Sequence, residues 1–263
     1  MRFLPSGVTP RRLAVSTRCA LLATVCLTVL PYGVAQAASP KSPLLRTGKL
    51  AATSCQEPPI IDRGVPLMRE YLTAAVKCLN TSWSAHFARA GLRFRKPVVR
   101  FYEEPERRVC GVRWPANAAA FYCTERATLV FPLTGHWIEG RTDLYPLKVA
   151  AHEYGHHLQS LTGVRDDYEA RVRSDRSHQP ELGRRYELQA DCLSGVFLGS
   201  VRGSLPRTEQ DWEALSGALR ASGDDGRRTH GTGANRLHWF KRGYRALSPA
   251  ACDTWAATPS RVS

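Results

Sequence analysis

The chain has 263 residues, of which 43% are hydrophobic, and a formal net charge of +14. That is enough apolar sequence for one sizeable core or two small ones, which excludes a chain disordered throughout and leads us to expect a single catalytic domain. The basic residues form no dense block and are not interleaved with aromatics, so nucleic acid is not an expected partner; the charge fits a solvated surface or association with an anionic cell envelope.

At the start, Arg2, Arg11, Arg12 and Arg18 precede the apolar run Ala20 to Leu30, and Ala35-Gln36-Ala37 follows as a small-x-small cleavage site. Residues 1–37 therefore read as a secretory signal peptide, and the protein is expected to be secreted or extracytoplasmic. The apolar run falls short of the roughly twenty residues a membrane span needs, so no transmembrane anchor is expected. Arg11-Arg12 leaves a twin-arginine route open beside the general one. Beyond residue 37 lie Cys55, Cys78, Cys110, Cys123, Cys192 and Cys252, an even number in an exported chain, which points to disulfides. No close Cys-x-x-Cys pair suggests a structural zinc site instead.

Residues 38–60 are rich in Ser, Pro, Lys and Thr and carry no sustained period, which predicts a poorly ordered lead-in to a domain over 61–254, with 255–263 as a C-terminal tail. From Pro66 to Ala90, Leu67, Tyr71, Ala74, Ala75, Leu79, Trp83 and Phe87 recur at three- and four-residue steps, the pattern of an amphipathic helix. Pro97 to Tyr102, Ala119 to Cys123 and Ala127 to Phe131 read as strands of a small antiparallel sheet.

The next stretch organises the rest. His152-Glu153-x-x-His156 lies in an apolar run, with Asp143 available as a cap, Pro146 in the first turn and Gly163 as a stop. On a helix, residues four apart face the same way, so His152 and His156 can offer ring nitrogens to one metal ion while Glu153 stands beside it. Zinc suits two imidazoles and one carboxylate with a position left open for water. His157 points off that face and is expected to pack behind it. Helices follow over Tyr168 to Ser174, Tyr186 to Leu198, Trp212 to Leu219 and Ala234 to Tyr244, with a glycine-punctuated loop around Thr229-His230. Glu187 is the candidate third ligand, with Asp191 next in line for that place. One turn after Glu187, Asp191 could accept a hydrogen bond from the free nitrogen of His152.

His-Glu-x-x-His followed by Glu187-x-x-x-Asp191 resembles the gluzincin metalloproteases. More narrowly, the chain resembles the bacterial putative neutral zinc metallopeptidase family through Ala151 to Gln159, Glu187 to Gly195, Cys110-Gly111 with Phe121-Tyr122-Cys123, Gly223-Asp224-Asp225, Thr229-His230-Gly231 through Trp239-Phe240, and Cys252-Asp253-Thr254. One departure is Thr124-Glu125-Arg126, where that family often has Pro-x-Asp. The resemblance implies a zincin-like α+β domain, mainly helical, with the sheet in front of the metal helix. It implies one zinc per chain on His152, His156 and Glu187, with Asp191 bonded to a ligand histidine. It also implies hydrolysis of peptide bonds by zinc-activated water, with Glu153 as general base and His230, with Tyr186 behind it, as oxyanion stabiliser. We further expect the pairs Cys192–Cys252, Cys110–Cys123 and Cys55–Cys78, one of many connectivities that six cysteines allow.

The expected function is that of a secreted zinc endopeptidase acting on polypeptide or peptide. A strand over Ala127 to Phe131 could take an extended substrate by edge pairing. The alternative is a catalytically weak zinc-containing binding module held on the cell envelope; retention of Glu153 speaks against it, because structural zinc needs no general base. A cell-wall peptide amide is a third possible substrate.

Overall fold

A computed structural model describes residues 42–58, 65–104, 106–115, 118–139, 141–223 and 229–263. The expected signal peptide, the boundary at residue 61 and Asp224-Asp225 lie outside the described residues. What is described belongs to one unit spanning Gln36–Ser263. It is mostly helical with small sheets, an α+β fold.

Helix α1 (Val65–Arg89) buries Tyr71, Leu72, Leu79, Trp83 and Phe87 along one face, as its three- and four-residue spacing requires. Strand β1 (Val98–Tyr102) follows. A short hairpin, β2 (Arg108–Val109) and β3 (Val112–Arg113), forms a separate two-stranded sheet, too short to leave an alternating pattern in the sequence. Strands β4 (Phe121–Cys123) and β5 (Thr128–Pro132) then complete a three-stranded sheet in the order β1-β5-β4.

This sheet is mixed, not antiparallel. β1 pairs β5 in parallel, Val98 opposite Thr128, whereas β4 pairs β5 antiparallel. The reason lies in the connection: after β1 the chain makes the hairpin and β4 before returning, so β5 runs in the same direction as β1. With a neighbour on each side, β5 is buried at every position, in keeping with its apolar run Leu129-Val130-Phe131. It therefore offers no free edge; β1 and β4 are the edge strands of this sheet.

Helix α2 (Tyr145–Leu161) carries the histidines. Asp143 accepts a hydrogen bond from the Tyr145 amide at 3.0 Å, and Pro146 sits in the first turn, where its missing N–H costs nothing. Gly163, at φ +77°, turns the chain into α3 (Val164–Ser174) through a conformation most side chains resist. Helix α4 (Gln179–Val201) lies against α2 at a point of close approach, where a Cβ on Gly155 would sit 3.1 Å from the Cα of Ala190. Helices α5 (Glu209–Ala221) and α6 (Gly233–Ala246) close the layer. The backbones of α4 and α6 pack closely enough that a Cβ on Gly243 would collide with the Cys192 carbonyl.

Two segments depart from expectation. Residues 42–58 are not a loose lead-in: Leu44, Leu50 and Cys55 are buried, and Glu57 accepts hydrogen bonds from Tyr71 Oη at 2.6 Å and from Arg207 at 2.7 Å. Residues 255–263 are likewise no free tail. Trp255 and Val262 are fully buried, and the Arg185 guanidinium donates to the carbonyls of Thr254, Trp255 and Ala257. Both segments lack a period because they are anchored by single side chains, so hydrophobic periodicity does not register them. No helix among the described residues is long and apolar enough to cross a membrane.

Candidate metal centre

His152 and His156 lie one turn apart on α2, both buried, with their rings 4.9 Å apart. Each has its inner nitrogen engaged by a group that can only accept. His152 Nδ1 lies 2.8 Å from Asp191 Oδ1 on α4, and a carboxylate has no proton to give. His156 Nδ1 lies 2.8 Å from Gln159 Oε1; the Gln159 amide is oriented by its Nε2, which donates to the Tyr186 carbonyl at 2.8 Å and to Gln189 Oε1 at 3.0 Å. Both Nδ1 atoms therefore carry the proton, and both Nε2 atoms turn a lone pair outward.

Those lone pairs meet a third acceptor. Glu187 Oε2 is 3.3 Å from His152 Nε2 and 3.2 Å from His156 Nε2. Three acceptors at such separations repel one another unless a cation lies among them. The three side chains offer ligand atoms within 4.8 Å of each other, and two imidazoles with one carboxylate is a donor set that zinc accepts. A proton meets the same demand. Burial alone would depress His156, but the Glu187 carboxylate outweighs it and lifts the pKa to about 9. Burial would raise Glu187 in turn, yet His156 and His230 hold it well below the usual carboxylate range. Metal binding here would displace a proton.

Behind the ligands, Asp191 is fully buried. Besides His152 it accepts from Lys148 Nζ at 2.6 Å, on Oδ1, and from Arg236 Nε at 2.9 Å, on Oδ2. Burial would raise its carboxyl; Arg236, then Lys148 and His152, more than offset this and keep it ionised. Tyr186 lines the cavity around the candidate ligands. Its ring lies flat against His156, centroids 4.8 Å apart, and Tyr168 stacks on it in turn, so it braces a candidate ligand. His157 packs behind the ligand face. Its Nε2–H donates to the Arg95 carbonyl at 2.6 Å, and Nδ1 accepts from Tyr122 Oη at 3.0 Å; burial takes its pKa down to about 4. That pair ties β4 to α2.

Glu153 and His230 both line a cavity of about 430 Å³ that contains the three candidate ligands. It shares Pro115, Ala118, Ala119 and Tyr145 with a groove of about 820 Å³. His230 Nε2 is 3.3 Å from Glu187 Oε2, and the side chain remains 41% exposed, at the rim. It falls outside the convergent set of three. The cysteines are joined as Cys55–Cys78, Cys110–Cys123 and Cys192–Cys252. The last ties the residue after Asp191 to the C-terminal segment, where Gln189 also donates to the Cys252 carbonyl.

The motif spacing does not single out Lys148, Gln159 or Arg236. Gln159 and Lys148 carry a signal in retrospect: polar residues three after His156 and four before His152, on the same helix face as the two histidines. Arg236 carries none.

The profile of the putative neutral zinc metallopeptidase family matches residues 21–255. The chain belongs to that family. Relatives of the chain include the uncharacterized protein YpfJ of Escherichia coli (strain K12), 31% identical over 206 residues that cover 71% of each chain. The uncharacterized protein Rv2575 of Mycobacterium tuberculosis (strain ATCC 25618 / H37Rv) is 31% identical over 200 residues, covering 62% of this chain and 66% of the other. No solved structure matches. Membership implies zinc, and the histidine and glutamate trio supplies a possible site for it.

Proposed function

We propose that the chain is an exported zinc-dependent endopeptidase with a zincin-like catalytic domain and one zinc ion held by His152, His156 and Glu187. The convergence of two Nε2 lone pairs and a carboxylate oxygen on one point, beside a cavity that also admits Glu153, is the observation that carries this reading. The three disulfides support an oxidising compartment outside the cytoplasm, as a cleaved signal over residues 1–37 would provide.

Zinc in that place supplies Lewis acidity, polarising a carbonyl oxygen and lowering the pKa of water towards about seven. Glu153 takes a proton from the attacking water and returns it to the departing amine. His230, at the cavity rim, donates from Nε2 to the oxygen on which charge develops, and that donor is worth most in a partly dehydrated cleft. Asp191 and Gln159 keep the two ligand histidines in the tautomer that leaves Nε2 free. The free edge of β4, whose Tyr122 lines the cavity, receives an extended peptide by main-chain pairing, and the adjoining groove gives the chain room to continue. A cleft of this form suits cleavage within a polypeptide.

A purely structural zinc would need neither Glu153 nor an adjoining cavity. The test is elemental analysis together with hydrolysis of a peptide library. We expect about one zinc per chain and cleavage that stops with a chelator and returns with zinc. Full zinc with no cleavage of any peptide would refute the peptidase reading.

A further inference from the structure

Two buried cations stand where a zinc site should not favour them. Lys148 and Arg236 have side chains only 3% and 11% exposed, both line the metal cavity, and both bear on Asp191. Positive charges that close to a divalent cation repel it, so their presence calls for a compensating role.

The hydrogen bonds supply one. Arg236 grips Asp191 as a fork, Nε on Oδ2 at 2.9 Å and Nη2 on Oδ1 at 3.3 Å, which fixes the plane of the carboxylate. Its Nη1 is in turn held by the carbonyl and hydroxyl oxygens of Ser222, at 2.8 and 3.1 Å. Lys148 lies one turn before His152 on α2, so its Nζ and His152 Nδ1 reach the same oxygen, at 2.6 and 2.8 Å. Three helices thus converge on one carboxylate: α2 through Lys148 and His152, α4 through Asp191 itself, and α6 through Arg236.

We propose that Lys148 and Arg236 are positioning residues for the metal site, clamping Asp191 from two helices so that its Oδ1 is fixed on His152 Nδ1 and the Nε2 lone pair is fixed on the metal. They act through Asp191 and are not themselves ligands of the metal. The inference rests on the zinc reading above and adds two residues to it.

A field effect and a positioning effect predict opposite signs. If Lys148 acted only through its charge, removing it would relieve repulsion and tighten zinc. Acting through Asp191, its removal weakens zinc.

The experiment measures zinc affinity by competition with a chromophoric chelator, on the full mature chain, for wild type, Lys148→Met, Asp191→Asn and the double variant. We expect Lys148→Met to weaken zinc about 10- to 100-fold, the usual scale for groups that orient a ligand histidine. In the Asp191→Asn background the same change should cost nothing further. Zinc bound as tightly or more tightly by Lys148→Met, or an equal loss in both backgrounds, would overturn the inference while leaving the zinc site standing. A wild-type chain that binds no zinc would overturn both. If Lys148→Met does not fold, Arg236→Gln in the same two backgrounds gives the same discrimination, with folding checked by circular dichroism of the zinc-free protein.

Discussion

Glu153 and Gln159 lie six positions apart on α2, yet the physical argument gives them separable roles. Glu153→Gln should leave zinc content unchanged and lower kcat by about two to four powers of ten, the scale of lost general-base catalysis; retained kcat would sink the assignment. Gln159→Leu should do the reverse. It removes the acceptor that holds His156 Nδ1 and leaves the Tyr186 carbonyl and Gln189 without that amide, so zinc affinity should fall about 10- to 100-fold. Equilibrium dialysis of both variants separates the two roles. His86 gives a pH dependence away from the site. It is buried against Trp83, 2.6 Å from Thr47 Oγ1, and burial, followed by Arg89, pushes its pKa below the ordinary 6.5. The unfolded chain takes up a proton near pH 6.5 while the folded chain still refuses it, so stability is lost as pH falls below 6.5. Denaturant midpoints at pH 7.5 and 5.5 should differ more for wild type than for His86→Gln; equal differences would remove His86 from the account. At this scale the sequence is legible where chemistry and helical period coincide, as in His152, Glu153 and His156. Arg236 is opaque in it, because a charged residue on a helix looks solvated until its neighbour across the interface is known.

At the scale of elements, the α2–α4 contact sets the geometry of the site, since the two histidines come from one helix and Glu187 from the other. Gly155 sits within that contact. Replacing it with alanine gains about 1 kcal/mol of helix propensity, against about 1–3 kcal/mol for overpacking onto Ala190, whose backbone cannot yield as a flexible side chain would. We expect Gly155→Ala to be neutral to about 2 kcal/mol destabilising and to weaken zinc more visibly than it shifts unfolding, because α4 moves away from α2. Unaltered zinc affinity would show that the contact has slack. The helices were readable from spacing and caps. The sheet was less so, because strand patterns say which residues face inward but not which strands are neighbours; the parallel pairing of β1 with β5 depends on the route the chain takes between them.

Across the whole molecule, the ends of the domain are held by side chains rather than by regular structure: Leu44, Leu50 and Glu57 at one end, Trp255 and Val262 at the other. Cys192–Cys252 spans 60 residues, and loss of a crosslink of that length should cost about 4 kcal/mol in the chain-entropy model. A Cys192→Ala, Cys252→Ala protein should unfold earlier and release zinc to a chelator faster than wild type; matched release rates would show that the crosslink does not brace α4. The family profile begins at residue 21, ahead of the stretches that carry the resemblance in the sequence, and the packed segment 42–58 lies within its span.

The division of the candidate ligands between α2 and α4 would also make zinc a reporter of folding. An unfolded chain offers the two histidines without their carboxylate partner, so it binds the ion weakly, and free zinc acts by mass action on the native state alone. Each tenfold rise in free zinc above the dissociation constant should then add about 1.4 kcal/mol to stability, and a chelator should subtract it. On the proposed site the melting temperature would have no single value: it would be a function of the metal concentration of the surroundings, and starvation for the ion would cost stability while the site was still nearly full.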